Sequence, residues 1–457
     1  MTASRIKIPL LIGLVAFFTY SRGLFNGFVF DDFTQVLGNH WITSPRYLPE
    51  IFSSDIGGFT GEKFHYYRPL VLVCHMACYL VFGPHAWGFH LVSIMLHVLN
   101  SVLLYAVISR LLRDGVSGTP DNPPYLAPGA ALLFAVHPIH AEPVLYVSAV
   151  GDLLCTLFVL LAFLMHLRWS KAGEKGRPLL GGTAFCCALL CKETALVVPL
   201  VLLFHEILVR GRTRPVGTLW KRWLPYLVVT VLYLALRQEI LGVFAPNALS
   251  EISLTGVIRL FARYVAKLVV PLRLNEYYHA AGGSSSPGPA IGVSLLLLFA
   301  ILALGVLLYR KQRNAALFGL LVMVLPLLPA LYVNGYSWSG FAERYLYLPS
   351  AGFALVAGDL MGALLRLPLK QYGRLMKVGL CGMIALGIAN NIRMGHVWKD
   401  ECAIWADTVR KSPRIPEARI GYARSLEDKG RDEEATRQYE AAMALSGELS
   451  LMFTGGP

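Results

Sequence analysis

The stretch PAIGVSLLLLFAILALGVLLY, residues 289–309, runs for 21 residues without a charged side chain. An α-helix rises about 1.5 Å per residue, so about 20 apolar residues are enough to cross the hydrocarbon core of a bilayer. This segment therefore predicts a transmembrane helix. A spanning helix also satisfies its own backbone hydrogen bonds, which lipid cannot do.

The composition of the whole chain agrees with a membrane protein. Of its 457 residues, 55% are hydrophobic and only 15% are charged. Ordinary soluble domains carry about 25% charged residues, so a soluble enzyme is excluded, and the high apolar content also excludes a disordered chain. The eight cysteines lie mostly in apolar runs without metal-ligand or disulfide spacing, and we interpret them as small buried residues.

Further apolar runs predict an all-α polytopic membrane protein with about eleven spans. The first span follows Arg5 and Lys7 and lacks a small-residue cleavage site, which favours an uncleaved helix over a signal peptide. The runs at 126–138 and 178–191 are short for a span. The predicted spans are 6–20, 90–111, 126–138, 147–167, 178–191, 195–209, 223–241, 289–309, 315–333, 348–365 and 375–391.

The distribution of Lys and Arg predicts the orientation. The net charge is +13, and the basic residues concentrate in the short loops on one side of the predicted membrane. By the positive-inside rule that side is cytoplasmic and includes the N-terminus. An odd number of spans then puts the C-terminal tail outside. The positive charge thus reflects membrane topology, and we expect no nucleic-acid partner.

The chain divides into two predicted regions. Residues 1–391 form the predicted membrane domain, with a first external loop at 22–89 and an external segment at 243–288. Within the second segment, Arg259, Arg263 and Lys267 recur every four residues, which is typical of a helix lying in the membrane interface. A second surface-lying helix is expected at 69–83.

The tail, residues 392–457, has a different pattern. Trp405 and Thr408 recur 34 residues later as Tyr439 and Ala442, the period of a tetratricopeptide repeat. Only about one and a half repeats fit, whereas stacked repeats need about three to bury their faces. We therefore expect the tail to lean on the membrane domain or on a partner. A plain helical hairpin is the alternative.

The external segments carry most of the unusual polar side chains. Asp31 and Asp32 adjoin the first span, where adjacent carboxylates raise each other's pKa and suit a general base; a helix N-cap is the alternative. Arg68 and the Arg344-Tyr345 pair are either interfacial anchors or anion-binding groups. Lys192 and Glu193 interrupt an apolar stretch, either as a local ion pair or as a contact to a lipid phosphate.

Histidines and two further carboxylates complete the candidates. His90 lies on a polar helical stripe that either joins helices or lines a cavity. His137, His140 and Glu142 fall within six residues and either ligate a divalent metal or make hydrogen bonds at a helix break. Asp152 follows at a depth where a carboxylate needs a partner.

The order of these motifs resembles the transmembrane, tetratricopeptide-containing O-mannosyltransferases and their bacterial relatives, within the GT-C glycosyltransferase superfamily. The resemblance covers nearly the whole chain, and the ordered set is more specific than any single motif. The matching pieces are Asp31-Asp32, Tyr67-Arg68-Pro69-Leu70, His90 with His97 and Asn100, His137-Pro138 with His140 and Glu142, Asp152-Leu153-Leu154, Lys192-Glu193, the run Arg344–Ser350 and the tail.

The resemblance implies a GT-C-type helix bundle that moves one sugar, mannose or a similar hexose, from a polyprenyl-phosphate donor to a hydroxyl of a protein or glycan, with inversion. Asp32 or Asp31 would be the base. The other implied roles are donor-phosphate binding by Arg344, Lys192, Arg68 and Tyr345, orientation by Glu142 and Asp152, and substrate binding by His137, His140, His90 and Glu193. A divalent metal is optional, since phosphate is already a good leaving group.

Two other function classes stay open. A transporter or flippase of lipid-linked sugars would favour inverted repeats and charges near the midplane. A non-catalytic assembly scaffold would use the repeat tail for docking. The compact loops and short tail favour a bacterial inner membrane, with the active site and the tail on its external, periplasmic face.

Overall fold

The computed structural model describes residues 3–113, 125–172, 178–210, 219–242, 253–275, 290–333, 341–364 and 370–454. All regular secondary structure in these ranges is helical. Together with the apolar helices described below, this confirms the predicted class, an all-α polytopic membrane protein.

Nineteen α-helices form the described part of the chain, numbered α1–α19 in chain order. The first ten are Ala3–Tyr20, Leu48–Ser53, Pro69–Phe82, Ala86–Arg113, Leu126–Ala135, Ala141–Leu145, Val150–Ala172, Pro178–Leu189, Val198–Arg210 and Leu219–Leu241. The other nine are Leu254–Val269, Ile291–Arg310, Asn314–Val324, Leu327–Val333, Tyr347–Leu364, Lys370–Val397, Glu401–Lys411, Pro416–Glu427 and Asp432–Thr454.

Eight segments of the described chain are long and apolar enough to cross a membrane, and each overlaps a predicted span. They are Ile6–Phe25, Ala86–Arg113, Val147–Arg168, Arg222–Leu241, Ile291–Arg310, Asn314–Leu331, Glu343–Ala363 and Val378–Val397. The predicted spans at 126–138, 178–191 and 195–209 correspond to shorter helices of 10, 12 and 13 residues. The total of eleven spans stays a prediction.

The centre of the bundle is built from α4, α7, α13 and α15. The spans containing α7 and α15 are the most buried of the eight, each 72% enclosed by protein, whereas the span of α12 is only 11% enclosed. The charge-free sequence of α12 suits that exposed position, because lipid tolerates apolar side chains on every face.

Two glycines set the closest helix contact. Gly319 of α13 and Gly352 of α15 face each other, and a Cβ atom on Gly352 would lie 2.3 Å from the carbonyl oxygen of Gly319. It would also lie 2.4 Å from the backbone nitrogen of Met323. Small residues at such crossings let membrane helices approach closely where the hydrophobic effect cannot drive association.

The helix α11 lies within the segment expected at the membrane interface. One face of α11, which includes Leu260, Tyr264 and Leu268, is buried. Lys267 donates hydrogen bonds to the carbonyls of Leu272 and Arg273, at 2.7 and 2.9 Å. Residues 243–252 and 276–288 of the expected segment lie outside the described residues, and its position in the interface stays a prediction.

Helices α17, α18 and α19 make up the tail, each packed on the next. Asp400 caps α17 by accepting a hydrogen bond from the backbone N–H of Ala403 at 2.8 Å. Pro416 begins α18, a position where its missing N–H costs no helix bond. The tail does not stand apart, because α17 contacts the membrane domain at both of its ends.

The glycine crossing gives a test of this packing. We expect Gly352→Ala to destabilise the protein by about 1–3 kcal/mol, because backbone atoms must move to admit the methyl group. That loss exceeds the stabilisation of roughly 0.5–1 kcal/mol that alanine gives a helix over glycine. The matched control is Gly382→Ala in α16, where a Cβ atom has no neighbour within 4 Å. Equal thermal midpoints of the two variants in detergent would contradict the close contact.

Candidate active site

The carboxylate of Asp32 is held at the end of the bundle where α1 ends and α7 begins. Its Oδ1 accepts hydrogen bonds from the backbone N–H and the hydroxyl of Ser148, at 2.8 and 2.5 Å. Its Oδ2 accepts one from the backbone N–H of Val29 at 3.1 Å. Asp32 is fully buried, whereas the neighbouring Asp31 is exposed. The geometry thus distinguishes the two carboxylates that the sequence left equivalent.

The environment of Asp32 brings the pKa of its carboxyl group close to neutral pH. Burial raises the pKa of Asp32 to about 7, while the hydrogen bonds from Ser148 and Val29 act in the opposite direction and Asp31 adds a small increase. A general base works best when its pKa lies near the working pH. Asp32 meets that condition with three donors fixing its orientation.

Lys192 and Asp152 form a buried ion pair one helical turn below Ser148. The Nζ atom of Lys192 lies 2.6 and 2.7 Å from the two carboxylate oxygens. Burial lowers the pKa of Lys192 while Asp152 raises it, and the positive charges of Arg68 and Arg344 lower it further. Lys192 is therefore close enough to both arginines to sense their charge.

Glu193 holds two arginines. Arg68, which precedes α3, donates to Glu193 from Nε and Nη2, the shortest contact being 2.8 Å. Arg237, near the end of α10, approaches the same carboxylate at 3.3 Å and also donates to the carbonyl of His65 at 3.1 Å. Burial alone would raise the pKa of Glu193, but the two arginines outweigh it and leave the pKa below its ordinary value.

Arg344 pairs with Glu142. Its guanidinium donates to the carboxylate of Glu142, and its backbone N–H donates to the second carboxylate oxygen at 3.0 Å. The next residue, Tyr345, places its ring 4.5 Å from Nζ of Lys192 and 5.7 Å from the Arg344 guanidinium carbon. The ring of Tyr345 thus lies within 6 Å of two cations, whose attraction to an aromatic face is favourable.

These pairs bring most of the residues predicted from the sequence to one end of the bundle. Four cations meet three carboxylates there, which leaves one positive charge in excess among the seven groups: Arg68, Lys192, Arg237, Arg344, Glu142, Asp152 and Glu193. One segment, residues 142–152, connects Asp32 to this cation cluster. Its Ser148 donates hydrogen bonds to Asp32, and its Glu142 and Asp152 pair with cations of the cluster. An excess of positive charge in a partly desolvated place suits an anionic ligand.

The predicted histidines make structural hydrogen bonds. In His137, Nδ1 accepts from the backbone N–H of Ile139 at 3.3 Å, and Nε2 lies 3.0 Å from the carbonyl oxygen of Leu268. His140 Nε2 lies 2.7 Å from the hydroxyl of Ser350.

The set His137, His140 and Glu142 does not fit a metal ion. Both ring nitrogens of His137 are engaged in hydrogen bonds, and the carboxylate of Glu142 is paired with Arg344. His90, the remaining predicted substrate contact, places Nε2 3.3 Å from the carbonyl of Gly27 and so braces the first loop.

One group among the described residues has metal-ligand spacing: His166, His205 and Glu206, with ligand atoms within 4.8 Å of one another. It lies near the opposite end of α7. The Glu206 oxygen that pairs with His166 at 3.0 Å is also 3.6 Å from the Arg222 guanidinium, which already supplies a positive charge there. This group is accordingly an ion-pair network apart from the cation cluster.

Sequence reasoning missed two members of the site. Arg237 lies inside a predicted span, and an isolated cation in such a span is itself a signal of function. Ser148 gave no signal, because a serine in a small-residue run is unremarkable until the fold brings Asp32 beside it.

Comparison with known proteins agrees with the sequence motifs. No family model matches the chain. It is 28% identical over 493 residues to human protein O-mannosyl-transferase TMTC4, covering 94% of this chain and 65% of that protein. It is also 27% identical over 499 residues to Drosophila melanogaster protein O-mannosyl-transferase Tmtc3, covering 92% of this chain and 53% of that protein. The chain resembles protein O-mannosyltransferases. The expected resemblance is therefore confirmed, and the chain spans about two thirds or less of the length of these relatives.

A shorter alignment with higher identity involves Drosophila melanogaster protein O-mannosyl-transferase Tmtc2, at 36% identity over 204 residues, or 42% of this chain and 21% of that protein. Among solved structures, the crystal structure of ArnT from Cupriavidus metallidurans bound to undecaprenyl phosphate aligns with a TM-score of 0.45 and 16% identity, covering 97% of this chain and 76% of that one.

The buried Lys192–Asp152 pair gives a stability test. Asp152→Asn leaves the lysine buried without its counter-charge, and we expect a loss of about 3–5 kcal/mol in the free energy of unfolding at neutral pH. Because the pKa of Lys192 is then lower in the folded than in the unfolded state, stability should rise with pH as the lysine loses its proton. The control is the double variant Asp152→Leu with Lys192→Met, which removes both charges and should recover most of the loss. A pH-independent, fully stable Asp152→Asn protein would contradict the pairing.

Proposed function

We propose that this chain is a membrane glycosyltransferase that moves one sugar, mannose or a similar hexose, from a polyprenyl-phosphate donor to a hydroxyl group, with a serine or threonine of a protein as the acceptor. The observation that carries the proposal is the pairing, at one end of the bundle, of a buried carboxylate of near-neutral pKa with a cluster of cations in net positive excess. The names of the similar proteins support the same reaction class.

In this mechanism the acceptor hydroxyl attacks the anomeric carbon of the donor sugar. Asp32 takes the hydroxyl proton as the new carbon–oxygen bond forms, and the bond from the anomeric carbon to the phosphate oxygen breaks. The leaving group is polyprenyl phosphate. A single displacement of this kind inverts the configuration at the anomeric carbon.

The leaving phosphate needs positive charge close by. Arg344 and Lys192 both lie near the ring of Tyr345, and Arg68 is near enough to influence the pKa of Lys192. We therefore assign these three cations to the donor phosphate. In many enzymes, hydrogen-bond donors fixed in place around developing negative charge make the largest single contribution to the rate enhancement. Glu142, Asp152 and Glu193 then keep the cations in place, and Arg237 shares Glu193 with Arg68.

Several finer points belong to the same proposal. These are the GT-C-type arrangement, the external face of a bacterial inner membrane, and a cytoplasmic N-terminus. They rest on the motif order and on the distribution of basic loops.

Asp32 and Ser148 give a test with a defined pH dependence. The base must be deprotonated, so kcat/KM for release of polyprenyl phosphate from polyprenyl-phosphate-mannose should rise with pH and reach half its plateau near the pKa of Asp32, about 7. Ser148→Ala removes a hydrogen bond that lowers this pKa, and the half-maximum should move to higher pH. Ser148→Thr keeps a hydroxyl and should stay near wild type.

Asp32→Asn should reduce turnover by about 100-fold or more while the protein inserts and folds normally. Full activity of Asp32→Asn, or an acid limb that Ser148→Ala does not move, would exclude Asp32 as the base. Lack of release by folded wild type with several sugar donors would favour a transporter of lipid-linked sugars or a scaffold.

Arg344 gives a test of the phosphate assignment. Arg344→Met should raise the KM for the lipid donor and the Kd for polyprenyl phosphate, each by about 10-fold or more, because a charge-assisted contact contributes roughly 1.5–3 kcal/mol. A matched control is Arg46→Met, since Arg46 also stacks on the following tyrosine, at 4.6 Å from the ring of Tyr47, but lies in the first loop. Equal donor affinities of the two variants would refute the assignment.

A further inference from the structure

We infer that the first tail helix, α17, is a brace that positions both halves of the active site: Glu401 and Trp405 position the Asp32 segment, and Lys411 positions the segment that leads to Arg344. This inference rests on the proposed function for its kinetic consequences. The contacts themselves do not depend on the reaction.

The base side of the brace meets a strained residue. Phe30 has a φ of +50°, in the left-handed region that non-glycine residues rarely adopt because it strains their backbone. Its backbone N–H donates to Oε1 of Glu401 at 2.8 Å. Its ring meets that of Trp405 edge-on, with 5.5 Å between centroids. Two contacts from α17 therefore hold the unusual backbone conformation two residues before Asp32.

A backbone bond strengthens the same attachment. The N–H of Gly27 donates to the carbonyl of Lys399, just before α17, at 2.9 Å. The segment from Gly27 to Phe30 is thus fixed to the tail at both ends. Val29 lies between them and donates its N–H to Asp32, so the orientation of the carboxylate follows from the position of this segment.

The other end of α17 contacts the approach to the cation cluster. Lys411 pairs with Asp407 and donates to the carbonyl of Leu274, while the amide of Asn275 donates to the hydroxyl of Ser412 at 3.1 Å. The backbone N–H of Asn275 donates in turn to Oε1 of Glu343 at 2.8 Å. Glu343 is buried and immediately precedes Arg344.

One helix of eleven residues, about 16 Å long, thus contacts both the segment before Asp32 and the segment that pairs with Glu343, next to Arg344. The rest of the tail holds α17 in place. Gly421 of α18 leaves no room for a Cβ atom, which would lie 2.5 Å from the Trp405 ring, and Lys429 pairs with Asp400 at 2.9 Å. A tail with few repeats can serve this purpose, because it uses the membrane domain as its remaining packing surface.

The test of the base side combines amide exchange with a pH profile. Glu401→Ala should increase hydrogen–deuterium exchange of the backbone at residues 27–32 several-fold in the full-length protein in detergent. It should also lower kcat by about 10- to 100-fold, as expected when a catalytic group is displaced by about 1 Å. Because burial is what raises the pKa of Asp32, loosening the segment should move the acid limb of kcat/KM below 7.

The matched variants separate positioning from simple stability. Glu401→Gln keeps an acceptor oxygen and should restore exchange and the acid limb to near wild type. Glu434→Ala removes an exposed carboxylate that pairs with Arg431 elsewhere in the tail and should change neither. If Glu401→Ala does not fold, Trp405→Phe replaces it, with a smaller shift in the same direction.

The cation side has its own readout. Lys411→Met should raise the Kd for polyprenyl phosphate by several-fold while the acid limb stays where it is, since Lys411 acts at the far end of α17.

The brace would be overturned if the Glu401 and Lys411 variants only lowered the thermal midpoint. In that case exchange at residues 27–32, the acid limb and the Kd would all stay unchanged. If wild type transfers no sugar, the proposed function fails and the exchange at residues 27–32 in Glu401→Ala alone decides: faster exchange supports the brace, and equal exchange overturns it.

Discussion

The cost of placing charge in a low-dielectric environment governs this structure. An unpaired ion inside a membrane protein costs several kcal/mol, so a buried or half-buried cation is stabilised by a nearby carboxylate. Lys192 has Asp152, Arg344 has Glu142, and Arg68 and Arg237 share Glu193. The partners come from segments that are distant in the chain. The pairs therefore join the residues just before α3 and α15, the first turns of α6 and α7, the segment between α8 and α9, and the end of α10.

The same pairing leaves a net positive charge at the proposed phosphate site. If every cation had its own carboxylate, the cluster would be neutral and an entering phosphate would gain little. Here two arginines share the single carboxylate of Glu193, which leaves one positive charge in excess among the seven groups. Asp32 lies outside these pairs, held by neutral donors from Ser148 and Val29, which is why burial dominates its pKa.

Sequence patterns predicted the all-α class and every one of the eight long apolar helices, because a run of about 20 apolar residues can be recognised from local composition alone. They also singled out Asp31, Asp32, Asp152, Lys192 and Arg344, since charges beside apolar runs are conspicuous.

The sequence patterns could not choose between Asp31 and Asp32. That choice depends on Ser148, more than a hundred residues away in the chain, and no local pattern encodes such a contact. Nor could the sequence distinguish a metal set at His137, His140 and Glu142 from hydrogen-bonded side chains, because Arg344 reaches Glu142 only in the folded chain. The contacts of α17 with Phe30 and Leu274 are long-range for the same reason.

The central claim is that the cation cluster beside Asp32 receives the phosphate of a lipid-linked sugar. The most direct measurement is a cryo-electron microscopy map of the full-length protein in a lipid nanodisc with polyprenyl phosphate bound. We expect phosphate density within hydrogen-bonding distance of Arg344 and Lys192, next to the ring of Tyr345, with the space towards Asp32 open for sugar and acceptor. Density for the phosphate at another place on the protein, with these cations contacting only their carboxylates, would contradict the account.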